Sequence, residues 1–241
     1  MGNNLEIQHI TLDQLNIAQL ISGSGEPILL LHGWGANLNL IMDLSERLAK
    51  KGNRVYALDL PGFGLSDTPQ KVWTIFDYAD FIVQFMDYHQ LEKVNLFGHS
   101  FGGRLSLILA AKHADRINKL VLCDSAGIKP QTPKWKQLRL TSYKRIRTFL
   151  TQIGQEKLAE KLRQTYNKRY GSSDFQQVSG IMRETFVNVI NQDLLDCARE
   201  IKAPTLIFWG ANDQDTPVWM AKKLESSIPD AGHIIYENVG H

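Results

Sequence analysis

The sequence predicts an α/β fold: a mostly parallel sheet of eight strands, flanked by helices and interrupted by one helical insertion. Three observations carry this. Short apolar runs bounded by turn residues recur at eight places. Stretches with apolar residues at helical spacing separate the later runs, as in strand–helix–strand units that cover both faces of a parallel sheet. The alternation fails once, between Cys123 and Pro204, where the chain turns basic and helical in pattern.

In chain order, strands are expected at Leu5–Ile10, Leu15–Ile21, Ile28–Leu31, Val55–Leu58, Val94–Phe97, Leu120–Cys123, Leu206–Trp209 and Ile234–Tyr236. No helix fits between the first two, so they form an antiparallel hairpin at the sheet edge. Helices are expected at Leu38–Lys50, Thr74–Gln90, Gly102–His113 and Val218–Ser227. The insertion contains WKQLRLTSYKRIRTFLTQI and QEKLAEKLRQTYNKRY, broken at Pro130, Pro133, Gly154 and Gly171. Residues 128–203 therefore read as a helical lid inserted into a core of residues 1–127 and 204–241. Ligands of open parallel sheets bind at the carboxyl ends of the strands, and a lid there would cover the site.

Composition sets limits on function. A hydrophobic share of 43% with no apolar run near 20 residues fits a soluble domain rather than a membrane-spanning one. MGNNLEIQHI lacks the basic start and apolar core of a secretory signal, and Glu6 stands where a myristoylation motif wants Ser or Thr. With only Cys123 and Cys197, reduced packed thiols in a cytoplasmic protein are expected. The net charge of +2 implies no nucleic-acid partner, but it is unevenly spread. Residues 129–170 hold twelve Lys or Arg against Glu156 and Glu160, which marks a separate unit. The plain reading of that charge is a solvated helical face; contact with a membrane surface or an anionic polymer is the alternative.

After the apolar run VNLF comes Gly98-His99-Ser100-Phe101-Gly102-Gly103 and then the helical RLSLILAAKHA. This is G-x-S-x-G in the context that gives it meaning: strand, sharp turn, helix. A nucleophilic serine must sit in a strained turn that pushes its hydroxyl outward, and glycines on both sides let other chain pass close. The helix starting there brings free N–H groups and a positive dipole end beside developing negative charge.

With this motif, the chain resembles the α/β-hydrolase fold family, lid-bearing serine esterase branch, over essentially its whole length. Three further segments match in order: ILLLHGWG (28–35) resembles the strand and oxyanion loop, ALDLPGFGLSD (57–67) the next strand and Gly-rich turn, and TLIFWGANDQDTP (205–217) the strand and loop bearing the acid. The resemblance implies an eight-stranded α/β-hydrolase sheet, a Ser100 nucleophile, and an oxyanion hole made by the backbone amides of Trp34 and Phe101. It implies Asp213 as acid and His241 as base, following the family's chain order of nucleophile, acid and histidine. Asp124, after the preceding strand, is the position some relatives use instead, while Asp215 is read as a cap of the helix near Pro217. His32 is expected to hold its loop through nearby backbone, His233 to be structural, and His99 to point away from the hydroxyl. The Trp34 ring is read either as acyl-pocket lining or as core.

Asp59 is a tempting nucleophile, but it precedes the wrong turn. There is no Cys/His metal spacing, P-loop or dinucleotide fingerprint, so neither metal nor cofactor is expected. The expected function is hydrolysis of an ester-like bond in a small or medium acyl substrate through an acyl-enzyme. Thioester, lactone and carbon–carbon cleavage use the same triad, and a non-catalytic ligand-binding member of the fold is the remaining class. His241 is the final residue, whereas relatives continue past the catalytic histidine, so the sequence is expected to be part of a longer protein.

Overall fold

The computed structural model describes residues 6–129, 133–170, 175 and 178–241. Gly2, the residue a myristoylation motif would use, and Leu5, Pro130 and Gly171 lie outside the described residues.

The chain opens with the expected hairpin. β1 (Ile7–Leu12) pairs antiparallel with β2 (Leu15–Gly23), turned at Asp13 and Gln14, both at positive φ. β3 (Glu26–Leu31), α1 (Leu38–Lys50), β4 (Asn53–Leu58), α2 (Ile75–Tyr88), β5 (Val94–His99), α3 (Phe101–Lys112) and β6 (Ile117–Cys123) follow. The next helices are α4 (Lys134–Gln152), α5 (Glu156–Tyr170), α6 (Gly180–Asn191) and α7 (Leu195–Glu200). The chain then returns to the sheet with β7 (Thr205–Gly210), α8 (Trp219–Glu225) and β8 (Ala231–Tyr236).

The sheet order is β1-β2-β4-β3-β5-β6-β7-β8. β2 runs antiparallel to β1 and β4; every pairing from β4 to β8 is parallel. Strand order reverses between β3 and β5, so the loops leaving those two strands part on either side of a crevice where such sheets bind ligands.

The elements follow from burial. Leu29, Leu30 and Leu31 are fully buried, which is why the central β3 reads as an unbroken apolar run; each contributes about 1.5–3 kcal/mol. α3 is buried from Phe101 to Ala110 and is accordingly apolar or small on nearly every face. α2 begins with a reciprocal cap in which Thr74 and Asp77 satisfy each other's backbone amides. β6 starts three residues before the apolar run that marks it. Its early positions carry Asn118, whose side chain bonds Asn95 across the strand pair, so polarity there does not end the ladder.

By compactness the chain divides into two units, residues 1–129 with 187–241, and residues 130–186. The first holds the whole sheet. In the second, Tyr143 of α4 stacks on Tyr166 of α5 with ring centroids 3.9 Å apart, and the Arg139 guanidinium lies 3.6 Å over Tyr170. Among the described residues, no helix is long and apolar enough to cross a membrane.

Candidate active site

Parallel pairing aligns the strand ends. Leu31 lies beside Gly98, His99 beside Cys123, Cys123 beside Phe208, and Gly210 beside Tyr236. The loops holding Trp34, Ser100, Asp124, Asp213 and His241 therefore leave the same carboxyl edge, although these residues are up to 207 positions apart in sequence.

Ser100 sits between β5 and α3 at φ 51° and ψ −108°, a conformation that costs a non-glycine residue about 1–3 kcal/mol. Bonds on both sides hold it: its N–H donates to Cys123 O at 3.0 Å, and its carbonyl accepts from Arg104 and Ala126. The flanking glycines are required sterically. A Cβ at Gly102 would collide with Leu31 O, and one at Gly98 would collide with the Ser106 hydroxyl and Gly102 O. Among the described residues the Ser100 hydroxyl makes no hydrogen bond, leaving its oxygen available at the helix N-terminus.

The Asp213 side chain is fully enclosed, and His241 Nδ1 lies 2.7 Å from its Oδ2. The Thr216 hydroxyl donates to the same oxygen at 2.6 Å, and the amides of Asp215 and Thr216 donate to Oδ1, each at 2.8 Å. Burial alone would raise the Asp213 pKa, but the Thr216 hydroxyl, His241 and the Thr216 amide together hold it below the usual carboxylate value. An ionised Asp213 requires the His241 proton on Nδ1, which leaves Nε2 with its lone pair as a potential base. The loop is fixed from the core: the buried Trp209 indole donates to Thr216 O at 2.6 Å.

Asp124 lies in the same cluster with different chemistry. Its Oδ1 accepts from the Gly210 amide at 2.9 Å, and the Cys123 thiol approaches Oδ2 at 3.6 Å. Burial, together with the nearby Asp213 charge, raises its pKa despite the Gly210 bond. The Cys123 thiol is pushed up to about 12 by burial and by Asp124, which makes it a poor nucleophile.

The histidines separate by contact. His32 donates from Nδ1 to Gly33 O at 2.7 Å and accepts the Leu60 amide on Nε2 at 3.0 Å, so both ring nitrogens are committed to backbone. Burial lowers its pKa and keeps it neutral. His233 pairs with Glu225 on α8, His9 with Asn16 and His89 with Gln19. The His99 ring lies against His241, with Nε2 3.1 Å from His241 O and ring centroids 4.9 Å apart. Its Nδ1 side abuts Gly33, where a Cβ would stand 3.0 Å away.

Phe101 is the first residue of α3, so its amide has no intrahelical acceptor and points out of the helix start. The Trp34 ring packs edge-on against Phe63 and Phe101 at 4.8 and 5.1 Å, which ties the two candidate oxyanion segments together. Asp59 is fully committed to its turn, accepting from Leu38 and Leu65 amides at 2.6 and 2.8 Å. Asp215 does not cap α8. That helix has Val218 at its N-cap without a side-chain bond, and the Asp215 amide serves Asp213 instead.

Thr216 is the functional residue the sequence reading missed. Its signal is the D-x-x-T spacing of Asp213 and Thr216, a local capping pattern in which the hydroxyl carries no charge of its own. Among the described residues, two sets, His99/Asp124/His241 and Asp213/Asp215/His241, bring potential ligand atoms within 4.8 Å of one another. A metal at the second set would have to displace the bonds that already fill Asp213. A cleft of about 530 Å³ lies instead at the amino ends of β5 and β6, where Arg116 is held by Asp87 and by the Leu91 and Glu92 carbonyls. It contains no candidate nucleophile.

A family model described as alpha/beta hydrolase fold matches residues 26–241. The AB hydrolase superfamily protein YisY of Bacillus subtilis is 30% identical over all of this chain and 92% of its own length. The 2-hydroxymuconate semialdehyde hydrolase of a Pseudomonas strain is 30% identical over 91% of this chain and 82% of its own. Among solved structures, an esterase from Exiguobacterium antarcticum superposes with a TM-score of 0.72 at 25% identity, covering 97% of this chain and 91% of the other. The chain belongs to the α/β-hydrolase fold family, and it is a hydrolase.

Proposed function

We propose that this hydrolase cleaves an ester-like bond of a small or medium acyl substrate through an acyl-enzyme on Ser100. His241 acts as base and acid, Asp213 orients it, and the Trp34 and Phe101 amides stabilise the oxyanion. The observation that carries the reading is the enclosed Asp213 with His241 Nδ1 at 2.7 Å, on the same sheet edge as a strained, unbonded Ser100. In the first step Ser100 Oγ bonds to the carbonyl carbon while its proton passes to His241 Nε2. The tetrahedral oxyanion then collapses, and His241 returns the proton to the departing alcohol. Water, deprotonated by the same nitrogen, repeats the sequence and releases the acid. Phe101 and Trp34 stabilise charge that exists only in the transition state, about 3 kcal/mol per donor.

Residues 128–203 belong to the proposal as a cap on the core of residues 1–127 and 204–241, supplying acyl selectivity. So does a cytoplasmic site of action, supported by two unpaired cysteines. A fluorophosphonate should label wild-type protein on Ser100, and Ser100→Ala should lose both label and ester turnover while keeping the fold. Wild-type turnover by that variant would refute the assignment. A second reading, carbon–carbon bond hydrolysis by the same triad, is favoured by the 2-hydroxymuconate semialdehyde hydrolase relative. Turnover of a vinylogous diketone, with acyl esters of graded length left intact, would select it.

A further inference from the structure

α4 carries a feature that the Ser100, His241 and Asp213 chemistry does not require. Trp135, Leu138, Ile146, Phe149 and Ile153 recur at helical spacing along one face, with Ser142 between them, and each of the five is more than half exposed. From Trp135 to Ile153 the row is about 27 Å long. A different side of α4 does the packing within its own unit, where Tyr143 stacks on Tyr166. The helix has six cations, Lys134, Lys136, Arg139, Lys144, Arg145 and Arg147, and no acidic residue. Lys134 and Arg145 border the apolar row on one edge and Arg139 on the other, with Lys136 and Arg139 side chains 5.5 and 5.2 Å from the Trp135 ring. On the neighbouring α5, Glu160 is held by Arg163 at 2.7 Å, and of the six α4 cations it is Arg147 whose charge acts on it.

The pairing of charge with apolar side chains selects the partner. A soluble polyanion would be bound by the cations alone and has no use for five exposed apolar side chains. An apolar protein surface would match the row but would strand the fringe of charge. An anionic bilayer surface takes both at once, with apolar side chains in the acyl boundary and Lys and Arg at the level of the phosphates. We propose that α4 is a membrane-surface element that lies flat on anionic phospholipid, Trp135, Leu138, Ile146 and Phe149 facing down. This is surface docking rather than spanning, and it is independent of the bond that Ser100 attacks.

The test uses the full chain with sedimenting vesicles of phosphatidylcholine alone or phosphatidylcholine mixed with phosphatidylglycerol. The protein should pellet with the mixed vesicles far more than with the neutral ones, and added salt should weaken that binding. Tryptophan emission should shift to the blue; the chain has five tryptophans, so the shift is assigned to Trp135 by its loss in Trp135→Ala. Lys134→Gln with Arg145→Gln should weaken partitioning about fivefold per charge. Trp135→Ala with Phe149→Ala should weaken it about tenfold or more. All four positions are exposed, so circular dichroism and the thermal midpoint should stay at wild-type values. Failure to pellet with anionic vesicles at low salt overturns the proposal, as does binding by both double variants at the wild-type level. Retention on heparin without vesicle binding would assign the surface to an anionic polymer. A dimer abolished by the Trp135/Phe149 variant, again without vesicle binding, would assign it to a second copy of the chain.

Discussion

Thr216→Val is the most informative single change at the candidate site. Valine keeps the volume of threonine but removes the hydroxyl that donates to Asp213 Oδ2 at 2.6 Å and lies 3.3 Å from His241 Nδ1. The acceptor is a fully enclosed carboxylate, so solvent screening does not dilute the loss, and a hydrogen bond to a buried charge is worth about 1.5–3 kcal/mol. Losing it moves the Asp213 pKa upward. The sign follows from a folded-state pKa depressed below the unfolded value. Stability from ionised Asp213 is present above the unfolded pKa and is lost as pH falls through the folded one. The valine variant should therefore be less stable than wild type by about 1.5–3 kcal/mol near pH 7, with the gap closing as pH falls below about 4. Urea unfolding across that range measures the gap directly. Ester turnover should fall about tenfold in kcat with little change in KM, since the bond orients the base rather than the substrate. Thr216→Ser, which retains the donor, should restore most of both. A gap of equal size at every pH would mean that the hydroxyl serves packing or a neutral bond, and the reasoning would be wrong.

Asp213→Asn should cut kcat on the order of 10³–10⁴-fold by disturbing imidazole orientation and tautomer, whereas Asp124→Asn should retain most turnover; the reverse ranking in a steady-state ester assay would move the acid to β6. Because burial holds Asp124 above its usual pKa, its ionisation costs stability as pH rises through the folded pKa. Asp124→Asn should therefore flatten that loss in denaturant titrations run upward from the usual carboxylate value. Gly102→Ala should fail to fold or lose most of its stability, because its Cβ has no room against Leu31 O; a soluble variant with a wild-type melting temperature would contradict the elbow packing. His32, His89 and His99 all have pKa values lowered by burial, so stability should fall as pH drops below the usual imidazole value of 6.5, and His32→Gln should soften that acid slope in thermal melts.

Much of this molecule is local and therefore legible in sequence. Eight apolar runs with helices between them are enough to specify a doubly covered sheet, because a strand buried on both faces must be apolar throughout, as Leu29–Leu31 are. The elbow was legible because its steric demands act within four residues: Gly98 and Gly102 are small where Ser106 and Leu31 press against them. The hairpin and the helical insertion announced themselves in the same way.

What the tertiary structure decided was contact between residues distant in sequence. Strand register alone brings Asp124, Asp213 and His241 to one edge, and only there does hydrogen bonding divide the two carboxylates. Asp213 is held ionised by Thr216 and two amides, while Asp124 is raised by burial and spent on Gly210. The direction of His99 and the donor role of Thr216 likewise depend on what lies across the loop. A sequence lists the donors and acceptors; which of them pair is set by the fold, since a hydrogen bond is won or lost over a few tenths of an ångström.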